Sequence, residues 1–289
     1  MKELTAGFLK TLLLGRDNDT HKGSYGHLLI IAGCQSMPGA AVLATAAALQ
    51  SGCGLVTLHS TARALDSAAV NCPSAILSCN PGNCFTTLPA DLSKYNAICI
   101  GPGLGKADET LNAFLRILTY SKSAGIPLLI DADALNLLAE NPDEMDMISE
   151  GSVLTPHPGE LRRLFSGAGI TDDIEKLCEA THSTVVAKGY RTRIFTPQGD
   201  SYINPTGGPG LAKAGSGDIL AGLTAGLMAR GYNGTHAALL GTWIHGTAGD
   251  VLTEQRTAES FSSLDLAGSL HQAFKILYSS SACSQVTHS

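Results

Sequence analysis

Residues 204–218 hold the pattern best suited to chemistry in this chain of 289 residues. Gly215, Ser216 and Gly217 stand directly before Asp218, and the apolar run at 219–230 that follows is typical of a buried helix. Because glycine has no Cβ, backbone N–H groups in such a loop can approach an anion closely, and a helix that starts at Asp218 adds the positive end of its dipole. The pattern predicts an anion cradle for phosphate, with a carboxylate at its edge.

Asp218 has two interpretations. As a helix N-cap or first-turn residue, its carboxylate would stabilise the helix by about 1 kcal/mol. A cap gains nothing from the run of glycines before it, however, and a carboxylate beside a phosphate is repelled unless it serves a third group. We therefore favour a general base that accepts the proton of a substrate hydroxyl while phosphorus is attacked.

The elements that must position this loop alternate along the chain. Strand-like and helix-like segments follow one another from residue 27 to 188, which predicts βαβ units and a mostly parallel sheet. A hairpin at 192–196 and 200–203 adds antiparallel strands at the sheet edge, and three helices close the chain. The predicted parallel strands are 27–32, 54–59, 97–100, 127–131, 152–155 and 184–187, and the predicted helices between them are 38–51, 62–70, 106–124, 132–140, 158–165 and 172–182.

Glycine-rich or polar loops follow five of these strands. In open α/β sheets the functional loops lie at the carboxyl ends of the strands, so these five are expected to share one cleft. We find no internal repeat and no linker rich in proline, serine or charge. This favours one domain over residues 1–278, followed by a flexible tail at 279–289. The five loops are 33–41, 101–105, 131–133, 155–160 and 188–192.

Composition excludes several classes of function. The net charge of −6 and the lack of a Lys/Arg cluster argue against nucleic acid as a partner. The eight cysteines form no Cys-x-x-Cys pair or zinc spacing, which indicates reduced core residues. There is no signal-like segment or membrane-length apolar run, so a cytoplasmic protein without a membrane partner is expected. The P-loop pattern and the Gly-x-Gly-x-x-Gly pattern of dinucleotide folds are also missing.

Seven motifs in order give the chain a family resemblance. It resembles the ADP/ATP-dependent NAD(P)H-hydrate dehydratases of the ribokinase-like superfamily, over about residues 10–255. The resemblance implies a three-layer α/β/α sandwich, whose mostly parallel central sheet carries helices on both faces. It also implies a stand-alone enzyme without the epimerase domain, and a homotetramer. The motifs lie at 21–23, 38–41, 101–105, 129–136, 154–160, 188–189 and 204–218.

The same resemblance implies an activity, its cofactors and its site residues. The enzyme would be a lyase that restores NADH or NADPH from its hydrate through a phosphorylated intermediate, with ADP or ATP as phosphoryl donor and Mg²⁺ as cofactor. Asp218 would be the catalytic base. Nucleotide contacts would come from Lys188, Gly189, Tyr190, Arg191, Thr192 and Gly217, and contacts to the hydrate from Ala40, Gly103, His157 and Asp218.

Several of these residues keep a second interpretation. Lys188 is otherwise a solvated lysine at a turn, and His157 otherwise heads a helix with Pro158 at its first position. Loop 101–105 is otherwise a plain tight turn. Asp131 and Asp133 can hold magnesium through water or cap the next helix, so the metal ligands stay unassigned. Trp243 and His245 fall on a late apolar helix and are expected in the core.

One departure from the family pattern lies in the cradle itself. Lys213 and Ala214 stand where the family has Thr and Gly. Lys213 either adds positive charge near the phosphates or points to solvent, and Ala214 requires ordinary backbone angles or strain. The departure leaves nucleotide affinity and the choice between ADP and ATP open.

Two other functions compete with the dehydratase. A ribokinase-like kinase for the hydroxymethyl group of a vitamin precursor would share the cradle and Asp218, but it would leave the phosphate on its product. A nucleotide-binding sensor would keep the fold without turnover, and only Lys213 and Ala214 favour it.

Overall fold

The computed structural model describes residues 1–280 of the chain. Its helices are α1 (Ala6–Lys10), α2 (Pro38–Leu49), α3 (Ala62–Asn71), α4 (Asp108–Ala124), α5 (Ala132–Glu140), α6 (Pro158–Ala168), α7 (Ile174–Thr181), α8 (Ser216–Ala229), α9 (Gly234–Gln255) and α10 (Ser263–Ser279). Its strands are β1 (Lys2–Glu3), β2 (His27–Ile31), β3 (Leu55–Ser60), β4 (Ile76–Cys79), β5 (Ala97–Ile100), β6 (Leu128–Ile130), β7 (Val153–Leu154), β8 (Thr184–Ala187), β9 (Arg193–Phe195) and β10 (Ser201–Ile203).

The strands form one sheet in the order β1-β10-β9-β8-β7-β6-β5-β2-β3-β4. The seven strands from β8 to β4 are parallel, while β9 runs antiparallel to both β8 and β10. The chain first moves outward from β2 to β4, then returns to β5 on the other side of β2 and continues to β8. The direction of winding therefore reverses between β2 and β5, which is where open α/β sheets bind ligands.

Alternate residues of each strand feed two separate hydrophobic cores. Leu28 and Ile30 of β2 pack with α2, α3, α8, α9 and α10 on one face. Leu29 and Ile31 pack with α4, α5, α6 and α7 on the other. Because side chains alternate along a strand, a parallel sheet covered on both faces needs continuous apolar strands, as the predicted strands have. The predicted α/β/α sandwich is confirmed.

The structure corrects the element predictions in three places. Two short strands were not predicted: β1, and β4 at the far edge of the sheet. The predicted hairpin is present, and its strand β9 is antiparallel to its neighbours. Its other strand, β10, is not at the edge of the sheet, because β1 pairs with the outer side of β10. The helix predicted at 158–165 continues to Ala168. It ends at Gly169, which has the left-handed conformation with φ +65°.

The predicted flexible tail at 279–289 falls almost wholly outside the described residues, since α10 ends at Ser279. Within residues 1–280, every helix is too short or too polar to span a bilayer.

Candidate active site

Two of the predicted substrate loops meet at the point where the sheet winding reverses. The loop after β2 donates a hydrogen bond from the Gly33 N–H to the Pro102 carbonyl in the loop after β5, at 2.8 Å. Gly103 has φ +58°, and a Cβ added there would lie 2.8 Å from the Cβ of Ala40. The structure therefore brings Ala40 and Gly103 together, and it explains glycine at 103 by packing within the protein itself.

The cradle is formed by the start of α8. Gly215 is the N-cap residue, with a left-handed φ of +87°, and Ser216 is the first helical residue. The helix thus begins two residues before the predicted Asp218, whose side chain lies in the first turn and makes no capping hydrogen bond. Asp218 is therefore not the N-cap, but it does occupy the first turn of α8, the other position that the structural interpretation allowed. The left-handed conformation falls on Gly215 and not on Ala214, so alanine at 214 causes no strain.

A buried ion pair lies beside this helix start. The Lys188 Nζ is 2.7 Å from Asp131 Oδ1 and 3.8 Å from Glu160 Oε2. A Cβ added to Gly217 would lie 3.4 Å from the same Nζ. Burial alone lowers the pKa of Lys188, but the carboxylates of Asp131 and Glu160 outweigh burial and raise that pKa above its ordinary value. Lys188 is therefore not the solvated turn lysine of the second interpretation.

Asp218 belongs to the same charge cluster. Burial, followed by repulsion from Asp131, raises the pKa of Asp218 to about 7, although Lys188 acts in the opposite direction. Burial also raises the pKa of Glu160, with Lys188 again opposing. A carboxyl group whose pKa lies near neutrality is suited to accept a proton from a substrate.

His157 heads a helix, as its second interpretation predicts, while its contact to the hydrate stays a prediction. It is the N-cap of α6, with Pro158 at the first helical position, and its Nδ1 accepts hydrogen bonds from the N–H groups of Gly159 (2.9 Å) and Glu160 (3.4 Å). Glu160 closes the capping box by accepting the His157 N–H at 2.7 Å. The ring of His157 also lines the cavity described next.

A cavity of about 570 Å³ opens above the start of α8. It is walled by most residues of the predicted nucleotide set together with the loop after β10. Arg191 is not in its wall; its guanidinium pairs with Glu3 at 2.5 Å. Ala40 and Gly103 are not in the wall either, so the two predicted ligand sites occupy different parts of the cleft. The predicted site residues in the wall are His157, Lys188, Gly189, Tyr190, Thr192, Ser216 and Gly217.

Three further residues that shape this cavity were not predicted as part of the site. His245 is buried, as expected of a core residue, but it also lines the cavity, where its Nε2 lies 3.2 Å from the Ser216 Oγ and 3.0 Å from the Ser216 carbonyl. Burial lowers the pKa of His245 to about 4, so the ring is neutral at pH 7. Asp250 accepts the Gly207 N–H at 2.9 Å, and the Asn204 side chain donates to the Thr206 carbonyl at 3.1 Å. Asn204 begins the segment 204–218 whose sequence pattern predicts the cradle, whereas only their nearness to that segment in the fold reveals His245 and Asp250.

The candidate magnesium residues are already engaged within the protein. Asp131 is the N-cap residue of α5, but its carboxylate makes no capping bond and pairs with Lys188. Asp133 accepts the Gly105 N–H at 2.8 Å. In residues 1–280, no three metal-ligating side chains are grouped as an all-protein metal site requires.

Of the two alternatives for Lys213, the structure contradicts a side chain that points to solvent, and the addition of positive charge near the phosphates stays a prediction. Its ammonium donates to the carbonyl of Phe261 at 2.5 Å, although the residue also contributes to the cavity wall.

Comparison with known proteins identifies relatives over nearly the whole chain. The family model described as NAD(P)H-hydrate dehydratase matches residues 28–272. An ADP-dependent (S)-NAD(P)H-hydrate dehydratase from Bacillus subtilis is 32% identical, over 94% of this chain and 97% of the relative. A bifunctional NAD(P)H-hydrate repair enzyme from Gloeobacter violaceus is 38% identical, over 85% of this chain and 49% of the relative. The chain spans about half the length of such bifunctional relatives.

A solved structure extends the likeness to three dimensions. The ADP/ATP-dependent NAD(P)H-hydrate dehydratase from Bacillus subtilis, co-crystallised with ATP and Mg²⁺, superimposes with a TM-score of 0.80. It is 27% identical, and the match covers 96% of this chain and 98% of that one.

Proposed function

Because the chain belongs to the NAD(P)H-hydrate dehydratase family, we propose that it catalyses the ADP- or ATP-dependent dehydration of NADH hydrate or NADPH hydrate. The observation that carries the proposal is Asp218, a partly buried carboxyl group in the first turn of α8, where burial and the neighbouring Asp131 raise its pKa to about 7. It directly follows Gly217, which lines the cavity of about 570 Å³.

Asp218 is the catalytic base in this proposal. The hydrate carries a hydroxyl on its reduced nicotinamide ring, and hydroxide is a poor leaving group. Asp218 takes the hydroxyl proton as the oxygen attacks the terminal phosphorus of ATP or ADP, and the bond from that phosphorus to the remaining nucleotide breaks. Phosphate then leaves the ring carbon, driven by the lone pair of the ring nitrogen, and loss of a proton from the adjacent ring carbon to solvent restores the neutral dihydropyridine.

The cradle and the cavity position the phosphoryl donor. N–H groups of Gly215, Ser216 and Gly217 stabilise the phosphate at the helix N-terminus. Lys188 lies within reach of a phosphate over Gly217, and Gly189, Tyr190 and Thr192 in the cavity wall contact the rest of the adenine nucleotide. Arg191 would have to leave its pair with Glu3 to join them. Ala40, Gly103 and His157 bind the hydrate, Ala40 and Gly103 from the junction of their loops and His157 from the cavity wall.

Magnesium would accompany the nucleotide. An ion of this kind is bound through one or two carboxylates plus substrate phosphates and water, so it does not require a group of three protein ligands. Asp131 and Asp133 are the nearby carboxylates that could hold it through water. The ion would neutralise phosphate charge.

An absorbance assay tests the activity and separates it from its alternatives. The protein is mixed with NADH hydrate, MgCl₂ and either ADP or ATP, and the near-ultraviolet absorbance of NADH is followed together with inorganic phosphate. We expect both to rise in equal amounts. A kinase would leave the phosphate on its product, and a sensor would bind nucleotide with no turnover; either result would overturn the dehydratase.

The proposal also covers the cellular location, the domain organisation and the oligomeric state of the enzyme. A cytoplasmic location is supported by the seven cysteines of residues 1–280, which are all free thiols. A single domain over residues 1–278 and a homotetramer complete it, and size-exclusion chromatography with light scattering measures the oligomer directly.

A further inference from the structure

The segment that connects α9 to α10 packs against the cradle. From the cradle side, the Lys213 Nζ donates hydrogen bonds to the carbonyls of Phe261 (2.5 Å) and Ala258 (3.3 Å). The same ammonium lies 3.6 Å from the centroid of the Phe261 ring, within the range of a cation–π contact. One lysine thus makes three contacts to the connector, which we define as residues 256–262.

A second tie lies immediately beyond the connector. The Ser263 Oγ donates to the Ala214 carbonyl at 2.7 Å, which is the peptide directly before the cradle. A Cβ added to Gly215 would lie 3.1 Å from Ser263 Cβ, so the two segments are in close contact. α10 and the connector therefore contact three consecutive residues, 213 to 215.

The connector is itself fixed. Phe261 is only 4% exposed and belongs to the core under α8 and α9. A Cβ added to Gly210 would come within 2.7 Å of its ring, so the loop before the cradle packs on the same side chain. Arg256 and Asp265 form an ion pair at 3.1 Å that spans the connector. Because the connector is held in place by these contacts, it can in turn fix the position of the cradle.

We propose that Lys213 is a positioning residue that clamps the anion cradle onto the α9–α10 connector and so sets nucleotide affinity without contacting phosphate. The inference rests on the proposed function only in that an adenine nucleotide occupies the cradle. It accounts for lysine at a position where the expected family pattern has threonine: the long side chain is needed to reach the connector carbonyls. In this proposal Lys213 does not determine the choice between ADP and ATP as phosphoryl donor.

Calorimetric titration of Lys213→Met with ADP and with ATP, each with MgCl₂, tests the clamp. Methionine keeps the length of the side chain but loses the donors and the charge. Loss of hydrogen bonds from a charged group should weaken both nucleotides by the same factor, about tenfold. The dependence of affinity on salt should stay as in the parent protein, because no phosphate contact is lost. Lys213→Arg, which can reach the same carbonyls and ring, should restore most of the affinity.

A double-mutant cycle tests whether Lys213 acts through Phe261. Phe261→Leu removes the ring, and in that background Lys213→Met should cost less affinity than it does alone, because the two residues share one interaction. In steady-state assays the KM for nucleotide should rise while the KM for the hydrate stays unchanged.

Three outcomes would overturn the clamp: unchanged affinity for both nucleotides, a loss confined to ATP, or a weaker salt dependence, since the last two indicate direct phosphate contact. If Lys213→Met fails to fold, Lys213→Thr provides the test, because it restores the residue of the family pattern and is too short to reach the connector carbonyls. It should weaken both nucleotides by the same factor, about tenfold, and equal binding in that variant would overturn the clamp. Because nucleotide binding is measured without turnover, this test can be interpreted even if the dehydratase assay shows no activity.

Discussion

Asp218 acquires its chemistry from its neighbours rather than from its place in the helix. Gly215 already occupies the N-cap position, so the carboxylate is not needed to begin α8. Its burial next to Asp131 holds its pKa near 7, where a carboxyl group can accept and release a proton at physiological pH. Lys188 limits the rise and keeps the carboxylate form accessible.

Asp218→Asn should abolish turnover while leaving nucleotide binding nearly intact. An amide matches the carboxylate in shape but cannot accept the hydroxyl proton, and loss of a general base costs about 10²–10⁴-fold in rate. The hydrate assay gives the rate, and calorimetry with ATP gives the affinity. A variant with close to parental turnover would remove Asp218 from the mechanism.

The same substitution should change how stability depends on pH. The pKa of Asp218 rises from 3.8 to about 7 on folding, so between these values the folded protein holds a proton that the unfolded chain has released. This stabilisation is complete below pH 3.8 and is lost as the pH rises toward 7. We expect Asp218→Asn to melt above the parent at pH 8, with the difference closing toward pH 4. An equal difference at both pH values would contradict the raised pKa.

Asp131→Asn should move the pH profile of the reaction. In the parent protein kcat/KM should rise with pH up to about 7, as Asp218 loses its proton. Removing the negative charge of Asp131 lowers the pKa of Asp218, so the acidic limb should move to lower pH. Asp143→Asn, at an exposed carboxylate, is the control and should leave the limb in place. A limb that stays fixed in Asp131→Asn would show that Asp131 does not act on the base.

At the scale of elements, the close packing of α8 on α2 fixes where the cradle stands. A Cβ added to Gly222 would lie 1.9 Å from the Ala44 carbonyl, and one added to Gly226 would lie 2.2 Å from the Ser51 Oγ. These two helices therefore approach so closely that their glycines cannot be replaced without moving α8.

Gly222→Ala should destabilise the protein by about 1–3 kcal/mol, the usual cost of overpacking. Gly39→Ala is the matched control in α2, because no atom lies within 4 Å of its added Cβ. Urea unfolding measures both. Equal midpoints for the two variants would mean that α8 can shift without cost.

The sequence predicts those elements whose pattern is local. The apolar run at 97–100 matches β5 residue for residue, and Pro158 marks the start of α6. β4 was missed because its residues are mostly exposed, and β1 because it has only two residues and pairs with β10 far along the chain. The ion pair of Lys188 with Asp131 joins residues 57 positions apart, so it depends on strand order, which no local pattern contains.

At the scale of the whole molecule, the proposed single domain predicts one cooperative unfolding transition. Both hydrophobic cores share the central sheet, so neither face should unfold alone. Scanning calorimetry should give equal calorimetric and van't Hoff enthalpies, and saturating ATP with MgCl₂ should raise the midpoint. Two resolved transitions would divide the chain into independent units.

The buried cluster sets three carboxyl groups, of Asp131, Glu160 and Asp218, around the single ammonium of Lys188. A nucleotide brings further negative charge to this place, which favours the protonated form of Asp218. We therefore expect binding of the phosphoryl donor near pH 7 to be coupled to the uptake of a proton from solvent. By linkage, a higher pH should weaken donor binding while it deprotonates the base, so donor binding and proton abstraction should favour opposite ends of the pH scale.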